Sequence, residues 1–266
     1  MNFQEQLLLE KTGLRVGRLG IASGYGAPVG AIEEAFERGC NYITWGTFIK
    51  GYSNNMRQAI RNIVSKGRRG QMVLAMFSYA HQSFLTEHFL IKGLKSAGTD
   101  YADILILGSF SRRPSQRIID GTLRLKEKGL VRFLGLSGHN RRLFPQLDQE
   151  GLFDIFHIRY NAVHTGAESD IFPFLTGRPK PGIINFTATA WGKLLNPKKM
   201  PAGEKPPTAA DCYRFVLSNP AVDVCMTGTK TVEEMRENLS VLEKGPMTDE
   251  EIERMRRIGD HIYGRR

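Results

Sequence analysis

At 266 residues the chain has room for one large α/β domain or two small ones, and its 41% hydrophobic and 24% charged residues are ordinary for a soluble globular protein. No apolar run approaches the roughly 20 residues of a membrane helix, the start MNFQEQLLLEK lacks the pattern of a signal peptide, and the widely spaced Cys40, Cys212 and Cys225 read as reduced thiols of a cytoplasmic protein. The net charge of +10 is scattered, with its densest patches at Lys66-Gly67-Arg68-Arg69 and in the tail from Met255-Arg256-Arg257 to Arg265-Arg266, which argues against a nucleic-acid partner and for a basic surface that suits anionic small molecules.

Leu7 to Val16 reads as two short strands around a Thr12-Gly13 turn. Strand and helix signals then alternate. Arg18–Ala22 is an expected strand, Val29–Arg38 a helix with Ile32, Ala35 and Phe36 on one face, and Gly39 its stop. Asn41–Thr44 is a strand. Asn54–Lys66 is a helix with Met56, Ala59, Ile60 and Ile63 at helical spacing. Met72–Met76 is a strand, Phe84–Ala97 a helix, Ile104–Leu107 a strand apolar on both faces, and Ser115–Lys128 a helix ending at Gly129. Val131–Leu136 and Ile155–Tyr160 are strands, with Arg141–Gln149 helical between them and Glu168–Leu175 a short helix after them. Ile183–Phe186 is a strand, Thr208–Leu217 a Thr-capped helix, Val222–Met226 a strand and Thr231–Leu242 a helix. Asp249–Tyr263 follows the capping box Thr248-x-x-Glu251. Asn196–Pro207 is a surface loop.

Eight strand–helix units with no linker between them predict an α/β fold, a single-domain (β/α)8 TIM barrel over residues 1–266 with an N-terminal β-hairpin and an extra C-terminal helix. The alternative is a doubly wound sheet, but Ser23-Gly24-Tyr25-Gly26 has only part of that fold's glycine fingerprint. In a barrel, function sits where the strands end. Those ends carry Thr44 and Trp45; Phe77, Ser78, Tyr79 and His81; Gly108 and Ser109; Ser137, Gly138, His139 and Asn140; Arg159, Tyr160, Asn161 and His164; Thr187, Thr189 and Trp191; and Thr227, Gly228 and Lys230. Such a rim suits a flat anionic ligand and is too poor in carboxylates for a divalent metal. Bland readings stand beside these: His157 as a satisfied core histidine, Trp45 and Trp191 as packing, and Arg159 paired with Glu168.

The last unit, Met226 to Asn238, ends a strand in Gly228 and opens a helix with Lys230 and Thr231, where free backbone N–H groups and the helix dipole favour phosphate. A capped helix with nothing bound is the other reading. This segment, with Gly129-Leu130-Val131-Arg132-Phe133-Leu134-Gly135-Leu136-Ser137, the opening Lys11-Thr12-Gly13-Leu14-Arg15-Val16 and Ala31 to Ile43, resembles the aldo-keto reductase family over nearly the whole chain. The resemblance implies a (β/α)8 barrel and reduction of a small carbonyl compound by NADP(H), or alternatively NAD(H), with a tyrosine as proton donor. On the cofactor side it implies that Ser137 is the serine that holds the nicotinamide amide, with Gly138 at the family's asparagine, Asn140 as its replacement, and His157 in the cofactor site at the position of the family's glutamine. Gly228, Thr229, Lys230 and Thr231 match the phosphate-binding turn, and Glu237 and Asn238 the adenine side. Glu234 stands where an arginine often covers the 2′-phosphate, a role Lys230 or Arg236 can partly take over.

The family's catalytic tetrad of Asp, Tyr, Lys and His does not carry over. Its positions fall at Thr44, Ile49, Phe77 and Gly108, and Trp45-Gly46 is expected to fill the space the acid would line. Tyr52, three residues past the tyrosine position, is the expected catalytic residue, with Tyr79, His139 or water as other proton sources. Two functions follow: an oxidoreductase with an altered site, or a nucleotide-binding protein that senses or scaffolds without turnover. A different reaction using Arg159, His164 and Glu168 is a third.

Overall fold

A segment such as Ala102-Asp-Ile-Leu-Ile-Leu107 has to be covered on both faces. In the computed structural model, which describes residues 2–47 and 53–264, a closed barrel does this. The hairpin β1 (Leu7–Leu9) and β2 (Leu14–Val16) precedes β3 (Leu19–Ala22), α1 (Val29–Glu37), β4 (Tyr42–Trp45), α2 (Asn54–Ser65), β5 (Val73–Ser78) and α3 (Ser83–Ala97). Then come β6 (Ala102–Leu107), α4 (Gln116–Glu127), β7 (Val131–Ser137), α5 (Leu143–Glu150), β8 (Ile155–Arg159), α6 (Ala167–Asp170) and β9 (Gly182–Phe186). The chain continues through α7 (Ala209–Leu217), β10 (Val224–Thr227), α8 (Val232–Leu239), α9 (Val241–Lys244) and α10 (Asp249–Tyr263). Strands β3 to β10 pair in parallel, in order, and β10 closes on β3. The expected fold, hairpin and final helix are therefore present.

Two expected helices differ. Glu168–Leu175 is a single α-turn followed by a 3₁₀ turn at Phe172–Phe174, where Pro173 denies the α pattern an N–H. Thr231–Leu242 breaks at Ser240, whose hydroxyl donates to the Glu237 carbonyl (2.7 Å), and resumes as α9. Both capping boxes, Thr208/Asp211 and Thr248/Glu251, are formed.

Strand alternation sorts the side chains into two cores. Tyr42, Val73, Ala75, Ile104, Ile106, Ile155, Ile184 and Val224 fill the barrel, with Leu9, Leu14 and Val16 of the hairpin plugging its lower end. The opposite faces, including Ile43, Trp45, Leu105 and Phe156, pack against the helices.

The lower end also holds buried or half-buried carboxylates, each accepting from a backbone N–H of the neighbouring strand: Asp103 from Leu74, Asp154 from Leu134 and Asp223 from Ile183, at 2.9, 2.9 and 2.7 Å. Arg69 and Arg132 complete the Asp103 site. These acids fix strand register and lie away from the end where the strands stop.

Candidate active site at the barrel mouth

The upper ends of the strands enclose a pocket of about 530 Å³. Its walls bring together Thr44 from β4, Phe77 and Tyr79 from β5 and the turn after it, Ser137 to His139 after β7, His157 from β8, Phe186 to Thr189 after β9, and Gly228 after β10. No Asp, Glu, Lys or Arg is among the lining residues. Its described lining offers hydroxyls, imidazoles and aromatic faces and carries no fixed charge. Among the described residues no group of three or more His, Cys, Asp or Glu side chains is placed to hold a metal ion.

His157 lies at the pocket floor, 1% exposed, with its Nε2 2.8 Å from Tyr42 Oη. The Tyr42 hydroxyl has no other hydrogen-bond contact among the described residues. Were Nε2 the donor, the buried phenol hydrogen would lack an acceptor, so the network assigns the hydroxyl as donor and leaves the ring proton on Nδ1. Burial lowers the His157 pKa to about 3, so the imidazole is neutral. It is both the satisfied core histidine of the bland reading and a neutral donor to the pocket. Strand parity puts Tyr42 inside: Tyr42 and Thr44 share the inner face of β4. The sequence supplied the strand but not which of its faces lined the barrel.

The same parity corrects the expectation for Trp45. It is fully buried on the outer face, with Nε1 donating to the Ser53 carbonyl (3.2 Å), and does not line the pocket. The position is packing, as its bland reading has it.

Opposite His157, Phe77 meets the imidazole edge-on at 5.4 Å and Tyr79 stacks on Phe77 at 5.4 Å. Tyr79 lies over Gly108, where an added Cβ would stand 2.5 Å from its Cε1. The tyrosine ring thus occupies the space a side chain at position 108 would need. Burial pushes the Tyr79 phenol above its ordinary pKa. Tyr52 lies outside the described residues.

Of the other expected cofactor residues, Ser137, His157 and Gly228 line the pocket. Asn140 does not: it is exposed and its amide donates to the Ser111 carbonyl (2.8 Å). At the β10–α8 turn, Thr231 caps α8 by accepting the Glu234 N–H (3.2 Å), and Thr229 is buried with its Oγ1 lacking a partner among the described residues. Lys230 and Glu237 are exposed. Asn238 is buried and donates to Thr227 Oγ1 (2.7 Å), which donates to Tyr213 Oη (3.3 Å). Glu234 reaches back to accept the Lys230 backbone N–H (2.7 Å), and Arg236 is forked onto Glu34 of α1 (2.9 and 3.1 Å). That last contact is an exposed ion pair through Arg236 Nε, which a phosphate would have to compete with for the guanidinium.

The expected Arg159–Glu168 pair is not formed. Glu168 instead takes a fork from Arg256 (3.0 and 2.8 Å) and the Tyr160 hydroxyl (2.5 Å). Trp191, read as packing, is 60% exposed on the rim.

The structure adds Tyr25 and Tyr213 to the lining. Tyr25 packs on Gly228. Tyr213 arrives from a helix, a direction that barrel-strand counting does not examine. A further signal is conformational. Ser109, Thr187, Ala190 and Trp191 have positive φ (63°, 66°, 51° and 55°), and among the described residues they are the only non-glycines that do. All four follow strand ends at this mouth, and strained backbone of this kind clusters at ligand sites.

No protein-family model and no curated protein matches the chain. Solved structures do. The aldo-keto reductase AKR11C1 from Bacillus halodurans, in its holo form, aligns over 96% of both chains with a TM-score of 0.78 and 18% identity. An aldo/keto reductase from Klebsiella pneumoniae in complex with NADP and acetate aligns over 98% of this chain and 96% of that one, with a TM-score of 0.77 and 16% identity. A second Klebsiella pneumoniae structure, in complex with NADPH, has a TM-score of 0.77 and 15% identity. At these identities what is shared is the fold: this chain has the barrel of aldo-keto reductases.

Proposed function

We propose that the chain is a nicotinamide-nucleotide-dependent oxidoreductase of the aldo-keto reductase type, which acts on a small carbonyl compound through an altered active site. One observation supports this most: a single pocket is lined by Ser137, His157 and Gly228, from the ends of β7, β8 and β10, together with Tyr25, Tyr79 and Tyr213. Ser137, His157 and Gly228 are the positions that the family resemblance gives to the nicotinamide and to the phosphates of the cofactor. The neighbours solved with NADP and NADPH point the same way.

The residues present fit such a group on chemical grounds. The partnerless Thr229 hydroxyl at the turn that starts α8 is the kind of orphan a bound polar ligand satisfies. The neutral mouth charges no electrostatic penalty against a reduced or an oxidised nicotinamide. Ser137 Oγ and His157 Nδ1–H would hold the carboxamide, and the Gly228–Thr231 turn the phosphates. Bound there, the nicotinamide supplies a hydride to the carbonyl carbon. The chain's own part is to hold the carbonyl and give its oxygen a proton. Of the tyrosines that line the pocket, Tyr25, Tyr79 and Tyr213, we assign this to Tyr79, with Tyr52, which lies outside the described residues, as the alternative that the sequence offers. Because Tyr79 keeps its proton at neutral pH, it serves reduction better than the reverse reaction, which needs a tyrosinate.

A second reading is a nucleotide-binding protein without turnover. It is favoured by Phe77 and Gly108, since neither a cation nor an imidazole at those positions depresses a tyrosine pKa. Titration with NADPH and NADH, read through quenching of the exposed Trp191, followed by a carbonyl panel, separates the two. Binding with turnover supports the reductase, binding without turnover the second reading, and no binding removes both. Tyr79→Phe and Tyr52→Phe then assign the proton: the donor's variant loses more than about tenfold in kcat, and loss in neither leaves water as the source.

A further inference from the structure

Beside the pocket, the β8–β9 rim carries groups that the reading above leaves without a task. Arg159 ends β8 and lies with its guanidinium carbon 5.8 Å from the centroid of the Trp191 ring. His164 meets the same indole edge-on at 5.8 Å, and Tyr263 of α10 meets His164 at 6.1 Å. The nearby carboxylates are committed: Glu168 to Arg256, and Asp170 to Arg141 at 2.5 Å. Among the described residues Arg159 forms no ion pair. Partial burial and repulsion from Arg141 both lower its pKa, so the rim holds a cation at some cost and supplies no anion to match it. Trp191 is 60% exposed and sits in left-handed backbone with Ala190 before it. Packing does not account for a large indole held out in a conformation that costs about 1–3 kcal/mol. The narrow crevice that Arg159 lines shares Gly138 and His139 with the main pocket, so the two are contiguous.

We propose that Arg159 and Trp191 form an anion subsite that seats the carboxylate of a flat, apolar carbonyl substrate, such as an aromatic aldehyde acid. The planar guanidinium presents two parallel N–H groups to a carboxylate, and the indole face offers stacking area for the body that carries it. The carbonyl half of this statement rests on the reductase reading, while the carboxylate half stands on the rim alone.

The test compares 4-carboxybenzaldehyde with its methyl ester, which keeps the ring and the aldehyde and loses the charge. Binding is measured by calorimetry and by Trp191 quenching, with and without NADPH. Wild type is expected to bind the acid about tenfold more tightly than the ester. Arg159→Met should bring the two within about twofold, and Arg159→Lys, which keeps charge but not the fork, should fall between. Circular dichroism confirms that the variants are folded. Equal affinities in wild type, or discrimination that survives in Arg159→Met, overturns the subsite. So does a tenfold loss of NADPH affinity in Arg159→Met with the acid-to-ester ratio intact, which would give the cation to the cofactor's phosphates. Arg159-dependent acid binding without turnover leaves the subsite standing and removes only the reductase.

Discussion

A neutral histidine under a tyrosine hydroxyl is the residue on which the pocket floor depends, and its cost shows in pH. The His157 pKa is depressed in the folded chain to about 3, against roughly 6.5 in the unfolded chain. Between those values the unfolded state binds a proton that the native state refuses, so stability is full above pH 6.5 and falls as the pH drops toward 3. From pH 7 to pH 5 this one group removes about 2 kcal/mol of folding stability. Urea unfolding of wild type and His157→Gln at both values should show that difference in wild type only; parallel curves would mean that His157 is protonated in the native state. At the opposite end of the pocket, Glu234 holds the Lys230 N–H and puts a carboxylate at the start of α8. Glu234→Gln is expected to tighten NADPH several-fold more than NADH, and Lys230→Ala to weaken NADPH more than NADH. Equal changes for both nucleotides would say that the 2′-phosphate is read elsewhere.

At the scale of elements, the helices that frame the mouth are placed by close backbone approach as much as by apolar stripes. α10 crosses the β8–α6 connection at Gly259, where any Cβ would collide with the Ala162 carbonyl. A backbone atom cannot swing aside as a side chain can, so Gly259→Ala should destabilise the fold by about 1–3 kcal/mol and shift α10 with Tyr263 on it. Thermal unfolding checks the first expectation and binding at the Arg159 rim the second. An unchanged melting temperature would mean that α10 is free to slide. Element existence was legible in the sequence because apolar spacing and caps are local. The phase of each element was not. The run Asn41–Thr44 announces a strand, but only the closed barrel decides that Tyr42 and Thr44 face inward while Trp45 faces α3. In the same way, Glu168 and Arg159 are near in sequence, yet Arg256 on α10 takes the carboxylate because the chain returns there.

Over the whole molecule, charge is sorted by end. Buried or half-buried carboxylates staple the lower ends of the strands, and the described lining of the upper pocket has none. With a net charge of +10, an anionic nucleotide would meet an attractive field, and its nicotinamide end an uncharged pocket lining. Its affinity should fall several-fold as salt rises from about 50 to 300 mM, and an affinity insensitive to salt would confine recognition to neutral hydrogen bonds. The barrel could be counted from the sequence because eight repeats of one local pattern add up. The pocket could be counted only in part, since Ser137 and Gly228 match, and His157 replaces, positions of the family the sequence resembles, while Tyr25 and Tyr213 reach it through loop and helix geometry that no local pattern encodes.

The four left-handed residues at the mouth set the chain against itself under selection. A non-glycine there costs about 1–2 kcal/mol, whereas glycine would cost about 0.5–1 in lost chain freedom. A population chosen for heat resistance alone should therefore drift to glycine at the exposed Ser109 and at Ala190, gaining roughly 0.5–1 kcal/mol at each. A population chosen for ligand should keep Ser109 and Trp191. Running both selections from one library would sort the residues this protein needs to stand from those it needs to work.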